Sequence, residues 1–167
     1  MSSFSSAADR ETGADFIRKN PNYFYPLLDL ACSSDNQREH VLSAWILEKY
    51  ALRDLGCLET NFTVFLEGLL KQSNDSKRRP MAKLLYHYCK NSKRRNRLTS
   101  KQIDLIVEVC FSCMLTTKKP APLAFVMKTL HFFRNHEPWI EGELQAFIEK
   151  RLPNSSAGFQ SVVRQIS

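Results

Sequence analysis

Glycine is scarce in this sequence, and long apolar runs are absent from it. Only 5 of its 167 residues are glycine, about 3% against a usual 7%, which disfavours turn-rich all-β folds and a glycine-rich phosphate loop. No apolar run approaches the roughly 18 residues of a membrane-spanning helix, and residues 1–6 lack the basic and apolar parts of a secretory signal. The odd number of cysteines, five, is typical of reduced thiols. We therefore expect a cytoplasmic protein without membrane association.

The pattern of apolar residues is helical along most of the chain. Apolar residues recur three and four positions apart, and no segment alternates with the period of two that marks a strand. The length suits one domain. The sequence therefore predicts an all-α protein, with a partly disordered N-terminal segment at residues 1–14 and a single helical-repeat domain at residues 15–167.

Several residues predict where helices begin and which side chains are buried. Pro80 is expected to open the fifth helix, because a missing N–H costs nothing in a first turn. Thr99 and Gln102 have the spacing of a capping box for the sixth helix. We expect Trp45 to pack in the core together with four further residues: Ala44, Leu85, Ile106 and Met127.

One seven-residue pattern occurs three times, at residues 44–50, 82–88 and 124–130. It reads small, any, aliphatic, aliphatic or Met, any, any, large. The first residues of successive copies are 38 and 42 positions apart, near the roughly 40–47 residues of HEAT and armadillo units. The pattern predicts an α-α superhelix of HEAT/armadillo-like helix pairs. The alternative is a non-repetitive helical bundle whose helices share ordinary apolar spacing.

Four segments, at residues 44–48, 79–83, 98–102 and 139–144, resemble those of a small bacterial family of HEAT-like helical proteins. The resemblance covers most of the chain from about residue 15 onward. It implies a HEAT-like fold. Members of this family often carry the label adenylosuccinate lyase, so the resemblance also implies that activity. The shared motifs are packing and capping signals, which bear on fold more than on function.

The sequence can be compared with the flexible loop of adenylosuccinate lyases, Ser-Ser-x-Met-Pro-x-Lys-x-Asn. Neither Ser33-Ser34 nor Ser155-Ser156 is followed by Met-Pro. The four histidines also lack the paired Ser and His context that acid–base elimination requires. We expect no catalytic residue and no cofactor, and lyase activity ranks third among the hypotheses below.

Cys110 and Cys113 form the only C-x-x-C motif. A redox motif of this kind lies at a helix N-terminus, whereas this one falls in the middle of a predicted helix. No second Cys or His pair has the spacing of a zinc site. We expect two buried thiols and no metal.

Positive charge is concentrated in one segment, residues 71–101. It holds eleven Lys and Arg against one acid, Asp75, a net charge of +10, while the rest of the chain carries −3. On the fifth helix a stripe of basic residues is expected opposite the apolar face. A concentrated positive surface attracts acidic partners. The candidate anion- or partner-binding residues are Lys77, Arg78, Arg79, Lys83, Lys90, Lys93, Arg94, Arg95 and Arg97.

These observations favour a non-enzymatic HEAT-like scaffold that binds an acidic macromolecular partner through the basic stripe. The alternative is a nucleic-acid-binding protein that uses the same surface. The third and least favoured hypothesis is adenylosuccinate lyase activity. For the charges themselves, the alternative is a solvated helix face and a basic loop with no ligand. Oligomeric state does not follow from the sequence.

Overall fold

The computed structural model of the protein describes residues 6–167. The regular secondary structure of this part of the chain is entirely helical, with no β-strand, which confirms the all-α prediction. Its α-helices are α1 (Ala7–Lys19), α2 (Phe24–Cys32), α3 (Arg38–Ala51), α4 (Phe62–Leu70), α5 (Asp75–Lys90), α6 (Ser92–Arg95), α7 (Ser100–Thr116), α8 (Pro120–Phe132), α9 (Pro138–Arg151) and α10 (Ala157–Ile166). Short 3-10 helices occupy Pro21–Tyr23, Leu55–Asn61 and Leu152–Asn154.

Local signals set several helix ends. The Gln102 N–H donates to the Thr99 hydroxyl at 3.2 Å, and the Thr99 N–H donates to the Gln102 side chain at 3.0 Å. The capping box predicted for this helix, α7, is therefore confirmed. α8 and α9 each begin at a proline, Pro120 and Pro138, where the missing N–H would have had no partner within the helix.

The expectation that Pro80 opens a helix is wrong. α5 begins five residues earlier, because the Asn74 side chain accepts a hydrogen bond from the Ser76 N–H at 2.8 Å and caps the helix. Pro80 lies in the second turn and offers no N–H to the Ser76 carbonyl. Ser76 is exposed, so water can satisfy that carbonyl.

The N-terminal segment at residues 1–14 is only partly described. Residues 1–5 lie outside the described part of the chain, and the segment is helical from its seventh residue onward. α1 packs on α3. The Arg53 guanidinium, just beyond the end of α3, donates to Glu11 at 2.5 Å and to Asp15 at 2.7 Å.

Eight of the ten α-helices in residues 6–167 form two rows. In the first row α1, α3, α5, α8 and α10 each pack on the next, and in the second row α2, α4 and α7 pack on one another in the same order. α2 also packs on α3 and α7 on α8, so the core lies between the rows. Four residues predicted to be buried have no exposed surface: Ala44, Leu85, Ile106 and Met127.

Two buried polar side chains satisfy carbonyl groups at the end of α2 and in the turn that follows it. The Gln72 amide nitrogen lies 3.2 Å from the Cys32 carbonyl oxygen and 3.0 Å from that of Ser33. The Lys77 amine donates to the carbonyls of Ser33 at 2.5 Å and Asp35 at 2.9 Å. The last carbonyls of a helix have no partner within it, so these contacts fix how α2 lies against α4 and α5.

Candidate functional site

The three copies of the repeated pattern lie side by side on α3, α5 and α8, successive helices of the first row. The fourth position of each copy, Leu47, Leu85 or Met127, is fully buried. Positions two and five, two of the three that the pattern leaves open, lie away from this buried side, and of the residues there only Glu48 is buried. We call this the outer face of the row, and its six residues are Trp45, Glu48, Lys83, Tyr86, Phe125 and Lys128.

Residues from neighbouring copies contact one another across this outer face. The Lys83 amine lies 2.6 Å from the Glu48 carboxylate. The ring centroids of Tyr86 and Phe125 are 5.9 Å apart, and the Lys128 amine lies 5.8 Å from the Tyr86 centroid. The outer face is therefore continuous from α3 to α8.

Trp45 belongs to the outer face and not to the core, so its predicted core position is wrong. It is half-buried. The Arg10 guanidinium carbon lies 4.1 Å from the Trp45 ring centroid, and that of Arg79 lies 5.2 Å from it. A tryptophan face attracts cations, so the ring holds one arginine from α1 and one from α5.

Two of the nine predicted binding residues, Lys77 and Arg78, are buried. Lys77 has no exposed surface, and its amine donates to the Ser33 and Asp35 carbonyls. Arg78 is 5% exposed, and its guanidinium lies 3.4 Å from the Asp75 carboxylate. Their assignment to a partner-binding surface is wrong, because both side chains stabilise the junction around the start of α5.

The basic stripe is divided between two helices. α5 ends at Lys90, and Asn91 is extended, with φ −75° and ψ 112°. The next three basic residues, Lys93, Arg94 and Arg95, lie in the short helix α6 and not in a loop. Arg95 donates to the Cys89 carbonyl at 2.6 Å and lies 4.7 Å from the centroid of the Phe132 ring. Its guanidinium is thereby fixed between α5 and α8.

Seven of the predicted residues remain at the surface, and we call them the basic face: Arg79, Lys83, Lys90, Lys93, Arg94, Arg95 and Arg97. Lys83 is paired with Glu48, and Arg94 lies 3.4 Å from the Glu59 carboxylate. Within residues 6–167 the other five have no carboxylate at ion-pair distance. Four of these five are exposed, so their charge is available to a ligand.

A buried carboxylate lies beneath the basic face. The Glu48 side chain is 4% exposed, and the Lys83 amine compensates its charge. His87 is close to both. Burial lowers the pKa of His87, and the nearby charges of Lys83 and Lys90 lower it further. His87 is therefore neutral at pH 7, and the positive charge of the face comes from its lysines and arginines.

The thiols lie in environments that raise their pKa. All five cysteines are free. Cys110 and Cys113 are buried in α7, as predicted. Burial raises the pKa of Cys113 to about 11 and that of Cys110 well above its ordinary value. In the part of the chain that the structure describes, no group of three or more His, Cys, Asp or Glu residues could hold a metal ion.

Two cations at the outer face are not predicted from the sequence, Lys128 and Arg10, the second of which contacts Trp45. Arg10 was overlooked because it falls in the segment that was expected to be partly disordered. Lys128 lies outside the basic segment, but it occupies position five of the third pattern copy. Positions two and five, compared across the three copies, would have identified the outer face.

Comparison of the chain with protein-family models, with curated proteins and with solved structures finds no match. Within residues 6–167, no helix has the length and apolar character needed to cross a bilayer.

Proposed function

We propose that this chain is a non-enzymatic helical-repeat protein that binds an acidic macromolecule through the basic face. The observation that carries the proposal is the group of exposed cations without carboxylate partners on α5, on α6 and just after it. Uncompensated charge at one place on a surface raises the local concentration of anionic partners and speeds association. Charge needed only for solubility has no reason to be collected on two adjacent helices.

We further propose that the two rows are stacked HEAT-like helix pairs, in line with the resemblance to the HEAT-like bacterial family. Two facts support this arrangement. The three copies of the pattern occupy successive helices of one row. Side chains at positions two and five contact those at positions two and five of the neighbouring copy. Repeat proteins of this type present extended binding surfaces. We also propose a reducing, cytoplasmic compartment, a proposal that the five free thiols support.

An acidic protein is the first candidate partner, and a nucleic acid is the second. The combination of arginines with aromatic rings favours the second candidate. Arg79 lies over Trp45 and Arg95 over Phe132. Surfaces that bind single-stranded nucleic acids combine cations for the phosphates with rings for the bases. Phosphate contacts fix position and carry no sequence information, so we expect weak sequence preference.

The test compares two labelled probes by fluorescence anisotropy: an oligo-dT of about 20 nucleotides and a poly-glutamate of similar charge. The variant is Arg79→Glu with Lys90→Glu and Lys93→Glu. Lys83 is left unchanged, since its reversal would leave Glu48 buried beside a second carboxylate. The triple reversal lowers the net charge from +7 to +1.

A matched control makes the same change in net charge elsewhere, at three exposed positions: Lys118→Glu, Lys150→Glu and Arg164→Glu. We expect the basic-face variant to lose binding and the control variant to retain it. If six or more phosphates are contacted, affinity for oligo-dT falls by orders of magnitude between about 50 and 200 mM salt. Equal loss in both variants, or no binding of either probe by the unaltered protein, would refute the proposal.

A further inference from the structure

A long groove runs between α7 and α9, and no residue of the basic face lines it. It consists of two adjoining depressions of about 940 and 690 Å³, which share Phe111, Leu115 and Glu143. Apolar side chains form its floor. Leu115 is 76% exposed and Trp139 is 51% exposed, and the Phe111 and Trp139 ring centroids are 5.4 Å apart. Large apolar side chains grouped in an exposed groove mark an interaction site.

The α7 side of the groove has helical regularity. Asp104, Glu108, Phe111 and Leu115 line it at successive three- and four-residue steps, so one face of α7 is presented along its length. The lining residues of α7 span eleven steps of about 1.5 Å, or about 16 Å. Those contributed by α9 and the turns beside it, within residues 136–154, extend the groove further. These dimensions suit a helix of three to four turns.

The charge at the groove selects the kind of helix. Four exposed carboxylates line its larger depression: Asp104, Glu108, Glu137 and Glu143. The basic side chain there is His136, whose ring nitrogen lies 3.1 Å from the Asp104 carboxylate. Lys150 and Arg151 line the far end, beside Phe147. A ligand of this groove therefore needs cations over the larger depression and apolar side chains along its floor.

We propose that the α7–α9 groove binds an amphipathic helix of a partner protein, with an apolar stripe on the floor and flanking Lys or Arg against the four carboxylates. Amphipathic helices bind grooves of this kind through apolar anchors at i, i+3, i+4 and i+7. The protein carries a net charge of +7, which repels a cationic helix. Such a helix is attracted only to a site where carboxylates are grouped, as they are in the larger depression. This proposal is independent of the basic face.

The test uses a labelled model peptide of about 18 residues, long enough for about 27 Å of helix, with leucines on one face and lysines on the other. A scrambled peptide of the same composition has no apolar face. Trp139 supplies a direct signal, because the chain has two tryptophans and Trp45→Phe leaves Trp139 alone. We expect the amphipathic peptide to shift Trp139 emission to shorter wavelength and the scrambled peptide to leave it unchanged.

Two variants locate the binding, each with a matched control. Leu115→Asp removes an exposed apolar anchor, and Val64→Asp makes the same change on α4, at a residue that is 45% exposed and outside the groove. Glu143→Lys reverses a lining charge, and Glu149→Lys reverses an exposed charge of α9 outside the lining. We expect each groove variant to weaken peptide binding at least about tenfold, as for a central interface residue, and each control to change it little.

Three results would overturn the proposal. The first is equal binding of the amphipathic and scrambled peptides, and the second is equal loss in groove and control variants. The third is a concentration-dependent dimer in sedimentation that Leu115→Asp abolishes, since the groove would then hold a second copy of this chain. Circular dichroism of every variant checks that the helices are intact.

Discussion

Gly68 lies where α4 meets α2, and a methyl group at this position would overlap three atoms of Cys32. A Cβ on residue 68 would lie 2.4 Å from the Cys32 Cβ, 2.5 Å from its Sγ and 2.9 Å from its Cα. Non-bonded carbon atoms prefer separations of about 3.5–4.0 Å. Because one of the three atoms belongs to the backbone, a change of side-chain rotamer cannot relieve the overlap. We therefore predict that Gly68→Ala pushes α2 and α4 apart.

The size of the effect follows from two opposing contributions. Overpacking a core costs about 1–3 kcal/mol, and occasionally more. Alanine in a helix is favoured over glycine by about 1 kcal/mol. The overlap with backbone places the cost at the upper end of its range, so we expect a net loss of about 2 kcal/mol. For a domain of this length, that loss lowers Tm by about 4–8 °C.

The assay is thermal and urea unfolding followed by circular dichroism. Gly142→Ala is the control, because Gly142 lies inside α9 and a Cβ there would have no heavy atom within 4 Å. That variant should gain up to about 1 kcal/mol. Cys32→Gly in the Gly68→Ala background removes two of the three overlapping atoms and should restore part of the loss. A Gly68→Ala protein as stable as the unaltered chain would refute the close-packing argument.

Four further predictions concern Lys77, Trp45, the five cysteines, and the pair His87 and His131. Lys77→Met should lower the free energy of urea unfolding by about 1–3 kcal/mol, because the Ser33 and Asp35 carbonyls lose a hydrogen-bond donor. Lys90→Met, at an exposed position, should change stability little. Trp45→Asp should remain folded, since the carboxylate would lie near the guanidinium groups of Arg10 and Arg79. Loss of the helical circular dichroism signal in this variant would show that Trp45 is needed in the core. The five thiols should react slowly with iodoacetamide at pH 8 in the folded protein and quickly in urea, because the thiolate is the nucleophile. Burial raises the pKa of all five cysteines, and it raises those of Cys32, Cys57 and Cys89 to about 12. Burial lowers the pKa of His87 and His131 below the ordinary 6.5, so between the lowered values and 6.5 the unfolded chain binds more protons. Stability should therefore fall as the pH drops through that range, and His87→Gln with His131→Gln should reduce the slope of the urea midpoint against pH.

Much of the fold was predictable because its signals are local. The Thr99–Gln102 box marks the start of α7 through groups within one turn. The buried fourth position of each pattern copy follows from apolar spacing on a single helix. These features need no knowledge of which helices are neighbours.

The burial of Lys77 and Arg78 was missed because the start of α5 was misplaced. Lys77 lies four residues before Met81, and Arg78 lies four residues before Ala82, so both continue buried rows of the helix. An expected start at Pro80 removed them from that pattern. Even with the correct start, a lysine is buried only where acceptors meet it, and here those acceptors come from the turn after α2. That contact depends on packing between distant segments.

The two proposed binding surfaces carry opposite charge, and this couples them electrostatically. The segment at residues 71–101 contributes +10, whereas the rest of the chain, which includes the carboxylates of the groove, contributes −3. At physiological ionic strength charges more than about 8 Å apart are largely screened, but at 0.01 M salt the screening length is about 30 Å. A cationic helix approaching the groove at low salt therefore still experiences the basic face. Reversing Arg79, Lys90 and Lys93 should weaken anion binding at the basic face and, at low salt, strengthen binding of the cationic peptide to the groove. The gain in peptide binding should vanish at physiological salt, because the long-range field of the basic face is screened there. A gain that persisted at physiological salt would instead indicate that the substitutions had altered the groove itself.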